Sequence, residues 1–586
     1  MLAEAACAAI IRTARDVVSD FGQSETAAKS EGLLEVSKRA PTNGERDCQR
    51  LMAKKYRLAL PIPKTFVDSK DPSLKVPFLR LRDWMIFLLE NNCMHILAGL
   101  VRPNATREGD IWEAWWEKFQ VHFPEHPIFQ KARDGKIKLR NCAALLLHGD
   151  EGRSKKKNAF LVLNVHSPLG RGVATGLENA TKRKYLKMLP NFVGHSYTNR
   201  FLISAMPKSS YTGKNGYMFD RLMHQTAEEL HFMADTGVEY QGERYFGFLV
   251  GIVGDWPWLA KSGSLERTFM NVPKHAVNHQ ECKGVCHLCL AGRPTWPFEQ
   301  LETRHPTWLG SVLAQPPFDE GSNPFRILPH ISGELPTLWK FDLFHSIHLG
   351  MARNYLGSML ALLSDLERAG NVDARFELLT SKYLAWCAAN KRTAHCQKIS
   401  KEHLNWTSTT MYPTAAWHKG DLSTSLLLFC EAQWRAEGGS WDNEMLQLGG
   451  EAAAALNQCL KILYHGEAWL TEHDAWQAGE LGLKFLRRYS QLARIAHRLD
   501  RKLWVVMPKA HACHHIFLDL LHGSQRGPTW NPITVSVQQD EDFIGRGSRL
   551  SRHVSHKVVA VRTVDRYLMS AYAEFMAAGY LVGTKG

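Results

Sequence analysis

Two short apolar runs each stop at a glycine that is followed at once by an aspartate. Ala143-Ala144-Leu145-Leu146-Leu147 leads into His148-Gly149-Asp150, and the run over 245–253 leads into Gly254-Asp255-Trp256-Pro257. Runs of this length, bounded by turn residues, predict buried strands. Each strand would present a carboxylate at its end, and Pro257 prevents the second from simply continuing. Two further runs, over 159–165 and 200–206, predict strands between them. Residues 220–234 place Leu222, Met223, Ala227, Leu230 and Met233 at helical spacing. The order is β-β-β-α-β.

The rest of the chain is organised around that unit. Residues 1–75 read as poorly defined helices and loops, and residues 76–140 as a helical region. There Trp84, Phe87, Trp112, Trp115, Trp116 and Phe119 form an aromatic stripe best read as core packing. Residues 141–255 hold the strands. Residues 256–525 read as a helical insertion, with helices predicted over 344–369, 376–390, 423–435, 452–464 and 480–504. Residues 526–586 supply a last strand over 532–537 and a helix over 558–578. The predicted fold class is therefore α/β plus a large all-α part.

A chain of 586 residues corresponds to about four domain-sized units, which excludes a single small binding module. With 45% apolar and 22% charged residues the composition is that of a globular protein. The formal net charge of +14 favours a polyanionic partner. Apolar runs fall well short of the roughly 18–20 residues a membrane span needs, so no membrane is expected. Met1-Leu2-Ala3-Glu4 lacks the basic start of a signal peptide, which points to a reducing compartment. The singly placed cysteines then read as small buried hydrophobes.

Several clusters could carry chemistry. Asp150, Asp255 and the run Asp540-Glu541-Asp542 place acids on the first strand, after the fourth strand and on a late helix. That is a ribonuclease H-like layout of a mixed sheet, β-β-β-α-β…β-α, in which the first and fourth strands are neighbours. Carboxylates converging there can hold two Mg²⁺ or Mn²⁺ ions about 3.5–4 Å apart, clamping a phosphodiester for in-line displacement. Cys282, Cys286 and Cys289 offer thiolates for a structural Zn²⁺. His275, His279, His287, His345 or His348 could be the fourth ligand, with His345 the working choice. Asp342, His345 and His348 could share a helical face, and His511 and His515 lie at i and i+4. These residues, with His148 and Asp542, are candidates for the periphery of the active site. Arg153, Lys155, Lys156 and Lys157, and a second basic run over 182–184, suit phosphate contacts or nuclear targeting.

Taken in order, HGDEGR (148–153), GDWPW (254–258), CxxxCHLC (282–289), FDLFHSIHLG (341–350), WHKG (417–420), PKAHACHH (508–515) and DEDFIG (540–545) resemble the transposases of the CACTA and Kyakuja-Dileera-Zisupton-like group of cut-and-paste DNA elements. The resemblance covers about residues 141–560. It implies a ribonuclease H-like catalytic domain with an Asp-Asp-Glu triad carried by Asp150, Asp255 and Glu541. It further implies metal-assisted attack on DNA phosphodiesters by water and then by a 3′-hydroxyl, with transposon ends and target DNA as partners. A zinc knuckle within the insertion and a nuclear location also follow from it. The N-terminal region shows no zinc finger or helix-turn-helix signature that would read terminal repeats.

Two other functions are weighed against this one. A transposase-derived DNA-binding protein would keep the basic surface without needing converging acids. An unrelated metal-dependent hydrolase would instead bring His511, His514, His515 and Asp519 into one pocket. The oligomeric state is open, a homo-oligomer included.

Overall fold

A computed structural model describes residues 7–40, 42, 44–154, 158–177, 184–272, 282–319, 321–552, 554–555 and 558–581. Its centre is a mixed seven-stranded sheet. The strands are β1 (Lys64–Phe66), β2 (Pro77–Leu79), β3 (Cys142–Arg153), β4 (Ala159–His166), β5 (Arg200–Pro207), β6 (Val238–Tyr240) and β7 (Glu243–Val253). They lie side by side in the order β1-β2-β5-β4-β3-β7-β6. β3, β4 and β5 form an antiparallel meander, whereas β7 runs parallel to β3. Parallel neighbours need a long crossover, supplied here by α2 (Tyr217–Asp235), which follows α1 (Ala105–His122) in the chain. The four strands and the helix read from the sequence are thus present, with β3 and β7 adjacent.

β3 is buried on both faces from Cys142 to Gly149, as its continuous apolar run requires. The aromatic stripe packs on it. Trp84, Trp115 and Trp116 belong to the same apolar core as the sheet, and two of their indoles reach the strands. Trp84 Nε1 donates to the Leu202 carbonyl at 2.9 Å, and Trp116 Nε1 to that of Cys142 at 2.8 Å. β1 and β2 extend the sheet out of segments read as loop and helix. At three residues each they are too short to show a period.

A second apolar core lies among the later helices: α3 (Ala352–Ser364), α4 (Val372–Ala389), α5 (Gly420–Ala436), α6 (Glu444–His465), α7 (Glu472–Arg498) and α8 (Pro508–Ser524). Asn371, Asn443 and Thr471 cap α4, α6 and α7 by accepting backbone N–H bonds. The part of the insertion before residue 344 is not built from long helices. After the short helix Trp256–Ser262 it runs through 3₁₀ turns such as Thr307–Ser311 and Pro324–Ile327. Among the described residues no helix is long and apolar enough to cross a membrane.

The strand expected over 532–537 is a 3₁₀ turn, Pro532–Val535. Pro532 has no N–H for a ladder, and Asn531 caps the turn by accepting from the Ile533 N–H at 3.1 Å. The outer neighbour of β7 is β6, so no late strand joins that edge among the described residues. Next come α9 (Gln538–Arg552) and α10 (Val559–Ala577).

α9 is docked on the sheet by a buried ion pair. Asp540 and Arg200 have 0% and 1% exposure, and Arg200 Nε donates to Asp540 Oδ1 at 3.1 Å. His148 and His166 stand 3.7 and 3.5 Å from the same oxygen. Burial raises the cost of the Asp540 charge, but Arg200 and the two imidazoles more than offset it and hold the carboxyl down at about 2. Breaking such a pair leaves a buried charge without a partner. Asp540→Ala is predicted to cost about 3–5 kcal/mol in urea unfolding. The apolar double replacement Asp540→Leu with Arg200→Met should recover most of it.

Candidate active site and metal centre

The parallel ladder of β3 and β7 ends with His148 opposite Val253. Neighbouring strands lie about 4.8 Å apart. Two residues beyond that last pair stand Asp150 and Asp255, so equal steps off adjacent parallel strands bring the two acids to the same end of the sheet. The glycine before each acid is required by Trp258. A Cβ at Gly149 would lie 2.5 Å from its ring and one at Gly254 2.2 Å from it, and Gly254 has φ of +154°. Asp255 Oδ1 accepts from the Trp258 N–H at 2.8 Å and caps the short helix; Asp150 Oδ1 accepts from the Glu151 N–H at 2.6 Å.

The third acid comes from α9. Three consecutive acids on a helix point about 100° apart, and here they meet three environments. Asp540 faces inward to Arg200. Asp542 accepts from Ser196 Oγ and Arg546 Nε, each at 2.7 Å. Glu541 lies between them and turns toward Asp150 and Asp255. Burial and then the Asp255 charge push Asp150 up to about 6. Burial, followed by the charge of Asp150, pushes Glu541 up to about 7. Asp255 is raised as well, chiefly by burial. Asp150, Asp255 and Glu541 thus make ionisation costlier for one another across a partly desolvated space, but among the described residues only a separate Cys/His group brings its ligand atoms within 4.8 Å of one another.

His345 borders this space. Its Nδ1 lies 2.6 Å from Asp342 Oδ2 and its Nε2 3.7 Å from Glu541 Oε1. Burial works against its charge, but the Asp342 hydrogen bond and the surrounding acids outweigh burial and raise it above the ordinary imidazole range. Asp342 also accepts from the backbone N–H of Val537 at 3.1 Å, tying this loop to the start of α9. Two other peripheral candidates are elsewhere. His148 lies behind the acids in the Asp540 cluster, and His348 Nε2 pairs with the Tyr464 hydroxyl at 2.8 Å. The proposed common face of Asp342, His345 and His348 is thus split. Arg153 sits at the far end of β3. Lys155, Lys156, Lys157, Lys182, Arg183, His275 and His279 lie outside the described residues.

A separate centre is formed by Cys286, Cys289, His511 and His515, all buried, with one ligand atom from each lying within 4.8 Å of the others. Cys289 Sγ is 3.3 Å from His511 Nε2, and Cys286 Sγ 3.6 Å from His515 Nε2. A tetrahedral ion with Zn–S of about 2.3 Å and Zn–N of about 2.0–2.1 Å sets such edges near 3.5 Å. Burial opposes ionisation of both thiols. Cys286, hydrogen-bonded by Cys289 and flanked by the two imidazoles, is nonetheless held well below the ordinary thiol range. The set could hold a metal such as zinc, and its residues fit one.

This corrects the expected ligand set. Cys282 Sγ instead donates to the Asn271 carbonyl at 3.1 Å, and His345 belongs to the acid site. The replacements come from α8, where the i, i+4 spacing of His511 and His515 puts both imidazoles on one face. That spacing was the available signal; what linear sequence conceals is the separation of more than two hundred residues from the cysteines. His514 takes no part, its Nε2 lying 3.0 Å from the Thr303 carbonyl. His511, His514 and His515 all pack around Trp308, but only His511 and His515 offer ligand atoms to the cysteine group. With four protein ligands and no open position, the centre suits a structural ion.

The two centres are joined by stacked rings. Trp256, next to Asp255, stacks on Phe341 at 5.4 Å and 8°, and Phe341, next to Asp342, stacks on His515 at 5.4 Å and 29°.

No protein-family model matches this sequence, and no curated protein does.

Protein purified without chelator is predicted to carry one zinc per chain by elemental analysis. Cys289→Ser or His511→Ala should lose it and lower the melting temperature, whereas Cys282→Ser should retain it. Zinc lost from Cys282→Ser but kept in His511→Ala would reverse the assignment.

Proposed function

We propose that the chain is a metal-dependent enzyme that cleaves and transfers DNA strands by phosphoryl transfer, a transposase of the kind the sequence resembles, acting in the nucleus on transposon ends and target DNA. The observation that carries this reading is that Asp150 and Asp255 follow the ends of adjacent parallel strands while Glu541 rides on the helix packed against β3, with Asp150 and Asp255 both raising the cost of the Glu541 charge. The strand order, with β3 beside a parallel β7, supports a ribonuclease H-like core. The net charge of +14 supports a polyanionic substrate.

The residues present fit a pair of hard cations, because all three donors are carboxylates. Bound Mg²⁺ or Mn²⁺ would supply a nucleophile at neutral pH and charge stabilisation for the attacking and leaving oxygens. The protein's part is placement. Asp150 and Asp255 each commit Oδ1 to a backbone N–H, which restricts the carboxylate and leaves Oδ2 outside that bond. Glu541 is set by its neighbour Asp540, anchored on Arg200. The Asp342–His345 pair buttresses Glu541 from the insertion side.

Asp255→Asn tests the reading. With Mn²⁺ and a labelled DNA duplex, cleavage should fall below detection while salt-sensitive DNA binding stays near wild type. Asp542→Asn should still cleave, since Asp542 faces Ser196 and Arg546. Cleavage by Asp255→Asn at the wild-type rate would sink the triad. A wild-type protein that binds DNA and never cleaves it would favour the binding-protein alternative.

A further inference from the structure

α9 carries more than Glu541. From residue 543 to 552 it contains Arg546, Arg549 and Arg552 and no acid. At about 100° per residue, Glu541, Gly545, Arg549 and Arg552 fall within an arc of roughly 80° on one side of the helix. The rest of the helix surface holds the buried Asp540, Phe543, Ile544, Leu550 and Ser551, with buried Ser548 at the border of the stripe, against Gly152 of β3. Arg549 and Arg552 are exposed. Arg546 pairs with Asp542 at 2.7 Å and lies off this stripe.

Between the acid and the arginines the stripe is bare. The nearest atom a Cβ at Gly545 would meet is Arg549 Nη1 at 3.9 Å, so the glycine is not required by packing. A glycine in mid-helix costs about 0.5–1 kcal/mol relative to alanine. Lacking a side chain, it leaves room on the stripe for another backbone to come close. With a rise of about 1.5 Å per residue, Arg549 lies about 12 Å and Arg552 about 16 Å along the axis from Glu541. The far end of the stripe meets the end of β3, where Arg552 Nε donates to the Arg153 carbonyl at 3.2 Å, so Arg153 extends the same basic edge.

We infer that this stripe is a DNA track: the sugar-phosphate backbone of one strand crosses α9 at the Gly545 notch, with successive phosphates on Arg549 and Arg552, and so enters the acid site at Glu541. Arginine suits the task because its guanidinium pairs with phosphate oxygens in a bidentate fork. The inference rests on the strand-cleavage reading for its direction, from arginines to acids, but predicts binding that needs no metal and no turnover.

The test is binding of a short fluorescein-labelled DNA duplex to the full chain in EDTA, titrated over a series of salt concentrations. Replacing both arginines (Arg549→Ala with Arg552→Ala) should weaken binding roughly tenfold to a hundredfold at moderate salt and lower the log–log salt slope by about 2. Gly545→Leu should weaken binding with the salt slope nearly unchanged, while its melting temperature holds or rises because glycine is the poorer helix former. That opposition between affinity and stability is something a merely structural role would not produce. An unchanged slope in the arginine variant, or full affinity in Gly545→Leu, would overturn the track. A lowered slope in the arginine variant, combined with a wild type that fails to cleave in Mn²⁺, would support the track and overturn the strand-cleavage reading.

Discussion

A carboxylate with no exposed surface, Asp540, sits against an arginine that is equally buried, Arg200, and the site depends on that pair. Each charge would be costly alone in this interior, so neither can leave without the other. Arg200 opens β5 and Asp540 lies in the first turn of α9. The pair therefore fixes both the position and the rotation of the helix on the sheet. Once Asp540 is committed inward, the next residue has one direction left, and Glu541 is delivered beside the ends of β3 and β7. Asp342 adds a second tie by accepting the Val537 N–H just before the helix begins.

The insertion is tied together at its own centre. Cys286 and Cys289 come from an irregular segment that contributes few long elements of its own, and His511 and His515 come from α8. A metal bridging them would supply binding free energy that is also folding free energy. The Trp256–Phe341–His515 stack carries that order toward Asp255 and Asp342, the residues adjacent in sequence to the first two rings. The carboxylates and the Cys₂His₂ centre are thus chemically distinct, one made of hard oxygen donors and the other of soft sulfur and imidazole, but they share a packed wall.

Much of this was legible in the sequence, and the exceptions have physical causes. Strands β3, β4, β5 and β7 were visible because their apolar runs are long and stop at clear punctuation. β1 and β2 were not, since three residues such as Lys64-Thr65-Phe66 hold no period. The apolar run after Asn531-Pro532 satisfied a strand pattern, yet an Asn cap and a proline suit a 3₁₀ turn equally well, and tertiary packing decided. The division of labour among Asp540, Glu541 and Asp542 depends on helix phase. Phe543 and Ile544, three and four residues on, already placed Asp540 on the core side. The Cys₂His₂ cluster shows the opposite limit: the CxxC spacing located Cys286 and Cys289, but only the fold brings α8 to them and takes Cys282 and His345 away.

In the proposed enzyme, Asp150, Asp255 and Glu541 would together hold divalent cations. The most direct measurement is anomalous scattering from crystals of the full chain soaked in Mn²⁺. Two peaks among these three carboxylates are expected. Peaks confined to other acids, or none between these three at saturating Mn²⁺, would contradict it.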